Sequence, residues 1–272
     1  MRRAWLLGIA VTCLVGCQPP APDRLVFFSV GQGDSAAFVS RGTAILIDTG
    51  PRNGDYDAGE RIVVPRLKRL GVSHVGAIIL SHPDLDHIGG TAAVLKAYPE
   101  AKLMMSSTFR SHPKLQEALR SWGRADQVQW LKEGDRIEIG NAKLEVACPP
   151  WLDEKKDNDG SLFVLLNVGA ATAYFPGDAP GTVEREVELR RRWTAQVMKV
   201  SHHGSGSSTP EDVIEQLKPT YAVLSAGRNN TYLHPHGESL VRLAAHNVVI
   251  WRTDMQGDCT FEVSEKGFQP VP

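Results

Sequence analysis

The sequence predicts a layered α/β fold, and two observations carry that expectation. Short apolar, β-rich runs alternate along the chain with segments whose apolar residues recur at helical spacing. Four of those runs end in polar, ligand-type residues: Asp48, the group His82 to His87, Asp178, and His202-His203. A fifth such residue, His234, follows several positions after its run. Ligands bind α/β sheets at the carboxyl ends of strands, so neighbouring strands would bring these groups to one edge.

The chain opens with Met1-Arg2-Arg3 and an apolar stretch, Ala4 to Val15, too short to span a bilayer as a stable anchor. It closes on Leu14-Val15-Gly16-Cys17, which resembles a bacterial lipobox. That resemblance implies a signal peptide over 1–16 and a mature chain beginning at a lipidated Cys17. It places the protein in the cell envelope, tethered outside the cytoplasm. Gln18 stands where an Asp would signal inner-membrane retention in a Gram-negative cell, so the outer membrane is expected. An ordinary secretory signal with an incidental Cys17 is the alternative. Residues 17–23, rich in proline, read as a linker, and 24–272 as one large α/β domain. No second apolar segment is long enough to cross a membrane, so membrane contact is expected only through the anchor.

Loss of Arg2 and Arg3 with the leader takes the formal charge from -1 to -3. Near-neutral charge offers no global electrostatic argument for nucleic-acid binding. Of the four cysteines, Cys148 and Cys259 remain for the domain; they are compatible with a disulfide or with two buried thiols. Neither has metal-site spacing.

From Arg24 the domain begins with strands at Leu25 to Val30, Ser35 to Val39 and Thr43 to Asp48, joined by glycine turns. Asp34 is expected to stabilise the first of those turns, with facing the site as the alternative. Asn53 to Gly59 reads as a mobile polar loop before a helix over Glu60 to Leu70. The run Val75 to Leu80 is a buried strand, and Ala92 to Ala97 a helix. Further strands are expected at Lys102 to Ser106, Gln127 to Leu131, Arg136 to Ile139 and Lys143 to Ala147, with a helix near Lys114 to Trp122. In the second half, strands at Leu162 to Val168, Thr172 to Phe175, Gln196 to Val200, Tyr221 to Ser225, Val248 to Arg252 and Thr260 to Val263 alternate with helices. Those helices lie at Thr182 to Arg192, Pro210 to Leu217 and Glu238 to Ala245. The charges of the first, including Glu184 and Glu188, read as a solvated face.

Between the strand at 75–80 and the helix at 92–97 stands Ser81-His82-Pro83-Asp84-Leu85-Asp86-His87-Ile88-Gly89-Gly90. Two imidazoles and two carboxylates on one loop stiffened by proline suggest a metal site.

His82-x-Asp84-x-Asp86-His87, with Leu46-Ile47-Asp48-Thr49-Gly50 before it and Gly177-Asp178 after it, resembles the metallo-β-lactamase superfamily. Val30-Gly31-Gln32-Gly33-Asp34, Lys199-Val200-Ser201-His202-His203-Gly204-Ser205 and Asn230-x-Tyr232-x-His234-Pro235 narrow the resemblance. Together they are similar to the hydrolase domain of ComEC-type DNA-internalisation proteins and to related phosphorylcholine esterases. The resemblance implies a four-layered αββα sandwich with two divalent ions, Zn²⁺ or Mn²⁺, at one edge. His82 and Asp84 would hold one ion, Asp86 and His87 the other, and Asp178 would bridge them. One of His202 and His203 would complete a site, and His234 the other. Asp48 would orient the ligands by hydrogen bonding, as would Asn158 and Ser161, which stand where the superfamily usually has a histidine.

In that reading a bridging hydroxide is the nucleophile, Asp86 is essential through its metal, and His234 or a metal-bound water protonates the leaving group. Asp84 replaces the more usual histidine, and carboxylate-rich ligation favours a hard ion and a phosphodiester or nucleic-acid substrate. Hydrolysis of a phosphorylcholine ester, lactone or β-lactam is the alternative within enzymes. A lipid-anchored binding protein with weak catalysis is the alternative outside them. No stable protein partner is implied.

Overall fold

A computed structural model describes residues 21–149 and 157–271. The leader 1–16, Cys17 and residues 150–156 lie outside the described residues, as does most of the linker.

The first half lays down β1 (Arg24–Phe27), β2 (Ala36–Ser40) and β3 (Thr43–Ile47), then a small hairpin of β4 (Arg52–Asn53) and β5 (Tyr56–Asp57). Where a mobile loop is expected, residues 52–57 therefore pair with each other. The following helix begins as a π turn, Gly59–Val63, before α1 (Val64–Arg69). β6 (His74–Leu80) leads into the short helix α2 (Leu85–Ile88), then α3 (Thr91–Ala97), β7 (Lys102–Ser106), α4 (Pro113–Ser121) and β8 (Val128–Leu131). The second half holds β9 (Arg136–Ile139), β10 (Ala142–Ala147), β11 (Phe163–Val168), β12 (Ala171–Phe175) and α5 (Gly181–Arg191). β13 (Val197–Lys199), α6 (Glu211–Leu217), β14 (Tyr221–Leu224), α7 (Gly237–Ala245), β15 (Val249–Arg252) and α8 (Thr253–Gln256) follow. The last hairpin, β16 (Cys259–Ser264) and β17 (Gly267–Val271), returns to the first sheet.

Two sheets result, in the orders β17-β16-β1-β2-β3-β6-β7-β8 and β15-β14-β13-β12-β11-β10-β9. The period-two alternation of strand side chains sorts the apolar residues into three cores. Leu25, Phe27, Ile45, Ile79, Leu144, Val164, Phe175 and Val197 fill the space between the sheets. Their strand neighbours, such as Val26, Phe28, Leu46 and Ile78, pack outward against α1, α3 and α4. Phe163, Tyr174, Met198 and Leu224 do the same on the other sheet, against α5, α6 and α7. The architecture is thus an αββα sandwich. Phe27 ties the sheets together, stacking on Phe175 at 5.6 Å and meeting Phe261 edge-on at 6.3 Å. Each such contact stabilises by about 0.5–1.5 kcal/mol beyond area burial.

Three expectations need correction. β17 and α8 are absent from the sequence reading, because Gly267-Phe268-Gln269-Pro270 carries a strand-demoting proline that edge pairing tolerates. Helix α5 does not present a uniformly solvated charged face: Glu184 and Glu188 are buried. Glu184 turns inward because it accepts from the backbone N–H and hydroxyl of Thr209, in the loop after the His202-His203 turn. Asp34 does more than hold a glycine turn, as its contacts below show. Cys148 and Cys259 are free and buried, and burial pushes both thiols up to about 12. Among the described residues no helix is long and apolar enough to cross a membrane.

Candidate metal centre

Strand direction assembles the site. β3 and β6 run parallel, as do β12, β13 and β14, so their carboxyl ends open onto one edge of the sandwich. Asp48 follows β3, the His82 to His87 segment follows β6, Asp178 follows β12, and His202-His203 follows β13. Backbone hydrogen bonds lock these loops together: Asp34 N–H donates to Asp86 O (3.1 Å), Thr49 N–H to His87 O (2.8 Å) and Leu162 N–H to Ser81 O (2.8 Å). Gly33, at φ +142°, has no room for a Cβ, which would collide with the backbone oxygen of Asp86. The segment read as a loop is helical over Leu85–Ile88. One helical turn puts Asp86 and His87 on the pocket side while leaving Leu85 exposed.

Four side chains converge most tightly: Asp86, His87, Asp178 and His203. His87 Nε2 lies 3.2 Å from Asp178 Oδ2, and His203 Nε2 lies 3.1 Å from both Asp178 Oδ2 and Asp86 Oδ2. The far nitrogen of each ring is occupied. His87 Nδ1 is 2.8 Å from Asp48 Oδ2, and His203 Nδ1 is 2.9 Å from the carbonyl oxygen of Ser225. Nδ1–H donates in both cases, so Nε2 is the nitrogen that each ring turns toward the pocket. Asp48 also accepts from Ser81 through its backbone N–H (2.8 Å) and hydroxyl (2.8 Å). Ser161 Oγ accepts from the backbone N–H of Asp178 at 3.2 Å, while Asn158 contributes its carbonyl to the 3-10 turn that carries Ser161.

His82 and Asp84 stand beside this group. The His82 ring packs 4.1 Å from that of His87, and its Nε2 is 3.5 Å from Asp84 Oδ2. His234 is buried at the mouth, 5.6 Å from the His202 ring and 6.2 Å from His203. Of the adjacent pair, only His203 enters the four-residue group; His202 is half-buried and turns toward His234. Strand alternation does not sort that pair, because both residues are left-handed (φ 49° and 54°) in a turn after β13. Holding two non-glycine residues there costs about 1–2 kcal/mol each. The turn is held by Ser201 Oγ–H donating to Ala179 O (2.6 Å) and Ser201 N–H donating to Thr209 Oγ1 (3.1 Å).

Two further residues join the site. Lys199, buried at the end of β13, donates to Gly177 O (2.8 Å) and Asp178 Oδ1 (3.1 Å) and forms a direct ion pair with Asp34. Sequence reasoning passes over Lys199. The signal available to it is a lone lysine inside the apolar run Val197-Met198-Lys199-Val200.

Electrostatics follow from this packing. Burial alone would lower His87 and His203, but the surrounding carboxylates, Asp178 first, hold both well above the usual histidine range. Burial opposes ionisation of Asp178 and Asp86 too. His203 and His87 overcome it at Asp178, with Lys199 adding to them, and His87 and His203 overcome it at Asp86, so both carboxyls sit below their usual range. Asp34 falls to about 2, where Lys199 and then His203 outweigh burial. The adjacent His82 imidazole lowers Asp84. His234 is pushed down to about 4, by burial and by its imidazole neighbours.

The donor set fits divalent cations. His82 Nε2 and His87 Nε2 are buried and make no hydrogen bond, although carboxylate oxygens lie within 3.5 Å and 3.2 Å of them. Such unsatisfied lone pairs aimed at anions are costly unless a cation joins them. Asp86, His87, Asp178 and His203 form one such set, and His82 and Asp84 lie beside it.

Comparison with known proteins agrees with the fold. The profile of the metallo-β-lactamase superfamily matches residues 29–228. The chain is similar to the ComE operon protein 3 of Bacillus subtilis, at 34% identity over 87% of this chain and 32% of that protein. It is also similar to the Recombination protein 2 of Haemophilus influenzae, at 31% identity over 84% of this chain and 27% of that one. The chain therefore spans about a third of the length of these relatives. Among solved structures, the metallo-β-lactamase fold protein YhfI from Bacillus subtilis superimposes with a TM-score of 0.56 at 11% identity, covering 85% of this chain and 96% of that one.

Proposed function

This chain belongs to the metallo-β-lactamase superfamily, and from that membership we propose that it is a metal-dependent phosphodiesterase acting on nucleic acid. The observation that carries the reading is the convergence of Asp86, His87, Asp178 and His203, with the Nε2 atoms of two imidazoles facing carboxylates. Asp84 beside His82 adds an oxygen ligand where the superfamily usually has nitrogen, which suits Mn²⁺ as well as Zn²⁺. Similarity to proteins named for competence and recombination supports nucleic acid as the substrate class.

Bound divalent ions would act as Lewis acids on the phosphoryl oxygens and lower the pKa of a water to make it nucleophilic near neutral pH. The protein's part is to present ligands and to handle substrate. Asp48 and the Ser225 carbonyl hold His87 and His203 in the tautomer that ligates. His82 and Asp84 would hold a second ion. His234, buried beside His202 and His203, is the candidate to contact a substrate oxygen at the leaving-group side. His202, turned toward His234, belongs with it on the substrate side. The reading places the protein in the cell envelope, anchored through Cys17, with no stable protein partner required.

The test is a substrate panel on purified protein, loaded with Mn²⁺ or Zn²⁺ and separately chelated. Single- and double-stranded DNA, RNA and bis-p-nitrophenyl phosphate run beside nitrocefin, a lactone and a phosphorylcholine ester. Metal-dependent cleavage of the phosphodiesters is expected. Turnover confined to nitrocefin, the lactone or the phosphorylcholine ester would refute it.

A further inference from the structure

Lys199 places a buried ammonium directly against a carboxylate that faces the metal pocket. Its Nζ binds Asp178 Oδ1 at 3.1 Å, while Asp178 Oδ2 faces His87 Nε2 and His203 Nε2 at 3.2 and 3.1 Å. The two oxygens of Asp178 are thus divided: one belongs to Lys199, the other to the pocket. A bare cation there would repel the divalent ions that the pocket gathers. Asp34 answers that charge. Its Oδ2 pairs with Lys199, and Oδ1 lies 3.5 Å from His203 Nδ1, whose proton is already directed to Ser225 O. Among the described residues neither Asp34 oxygen receives a hydrogen bond, so Lys199 is the partner that justifies burying this carboxylate. The backbone holds Asp34 in register with the ligand loop, through Asp34 N–H to Asp86 O and Gly50 N–H to Asp34 O (2.7 Å). Asp34 also lies 3.7 Å from His87 Nδ1, but that nitrogen is taken by Asp48 at 2.8 Å, so Asp34 is not placed as a ligand.

We propose that Asp34 is a positioning residue of the metal centre: it neutralises Lys199, so that Lys199 can hold Asp178 by one oxygen without repelling the ions bound at the other. The proposal rests on the metal-binding reading above, and the two fail differently. If the parent protein binds no Mn²⁺, the metal reading falls; if the parent binds and the variants below do not order as stated, this proposal falls alone.

The experiment is Mn²⁺ titration by calorimetry on the full chain and on D34N, K199M and D34N/K199M, with folding checked by circular dichroism. D34N exposes the pocket to an uncompensated ammonium, and Mn²⁺ affinity is expected to fall at least tenfold, the scale of losses on removing groups that support metal ligands. Deleting the ammonium as well, in D34N/K199M, is expected to return affinity to within about threefold of the parent, since the charge of the centre is restored. K199M alone is expected to weaken Mn²⁺ binding by less than D34N does, since it gives up the hold on one Asp178 oxygen but leaves no ammonium beside the ions. A purely architectural role for the pair predicts the opposite order, with the double variant at least as impaired as D34N. A double variant no better than D34N, or a D34N that binds like the parent, would overturn the proposal. Should D34N not fold, D34N/K199M decides: affinity within about threefold of the parent supports the proposal, and a tenfold loss overturns it.

Discussion

Asp48 is the residue whose removal should separate stability from metal binding. It is buried and left-handed at φ 58°, and it accepts from Ser81 N–H, Ser81 Oγ–H and His87 Nδ1–H, each at 2.8 Å. In Asp48→Ala the Ser81 hydroxyl can turn to His82 Nδ1, 3.0 Å away, so it keeps a partner. The Ser81 N–H does not, and an unpaired buried donor costs about 1–3 kcal/mol. His87 loses a charge-assisted bond, about 1.5–3 kcal/mol more. The expected loss is therefore about 3–5 kcal/mol, measured by urea unfolding of metal-free protein. Asp48→Asn is the sharper probe. Its carbonyl can still accept from Ser81, but its amide then faces His87 Nδ1 and favours the tautomer with a proton on Nε2, pointing into the pocket. Its stability should lie within about 2 kcal/mol of the parent, since the Ser81 hydroxyl can turn and accept from the new amide, which leaves the His87 bond as the one exchanged. Its metal affinity should nonetheless fall about 10–100-fold, as it does when an orienting partner of a ligating histidine is lost. An Asp48→Asn protein that binds Mn²⁺ as the parent does would refute the orienting role.

Three other outcomes follow from the same geometry. Asp86→Ala should leave the fold intact, cut metal content to below about one ion per chain and reduce turnover of the best substrate at least about 100-fold, read by elemental analysis and initial rates. His203→Ala should weaken Mn²⁺ binding at least about tenfold and His202→Ala by no more than about threefold, because only His203 reaches Asp86 and Asp178; equal losses in calorimetry would contradict that division. Glu184 carries a carboxyl raised by burial from 4.5 to about 7, so the folded state holds its proton more tightly than the unfolded chain does. Its contribution is complete below about pH 4.5 and is lost as pH rises to about 7. Glu184→Gln should therefore match the parent near pH 4.5 and become the more stable protein by pH 8, gaining about 1 kcal/mol per pH unit across that window; a stability difference independent of pH would refute the assignment.

Much of this protein is legible in its sequence, because the relevant forces are local. Apolar runs of strand length, helical spacing and glycine turns depend on residues a few positions apart. The order of strands and helices follows from them with ends shifted by a residue or two, as at β3, β6 and β12. The ligand-type residues are legible for the same reason: His82, Asp84, Asp86 and His87 fall within six positions, and Asp48 and Asp178 end recognisable strands. What sequence spacing does not contain is distance between segments. Asp34 looks like a turn former until β1 and β13 bring it against Lys199, 165 positions later in a different sheet. Glu184 and Glu188 look solvated until Thr209 and Tyr174 close over them. His202 and His203 are indistinguishable as neighbours on a chain, and a left-handed turn, not strand alternation, decides which one meets Asp178. Local propensity determined which groups this chain carries and which element each one ends. Tertiary packing alone decided which charges meet in the dry interior, because only there does a partner a few ångströms away outweigh the cost of leaving water.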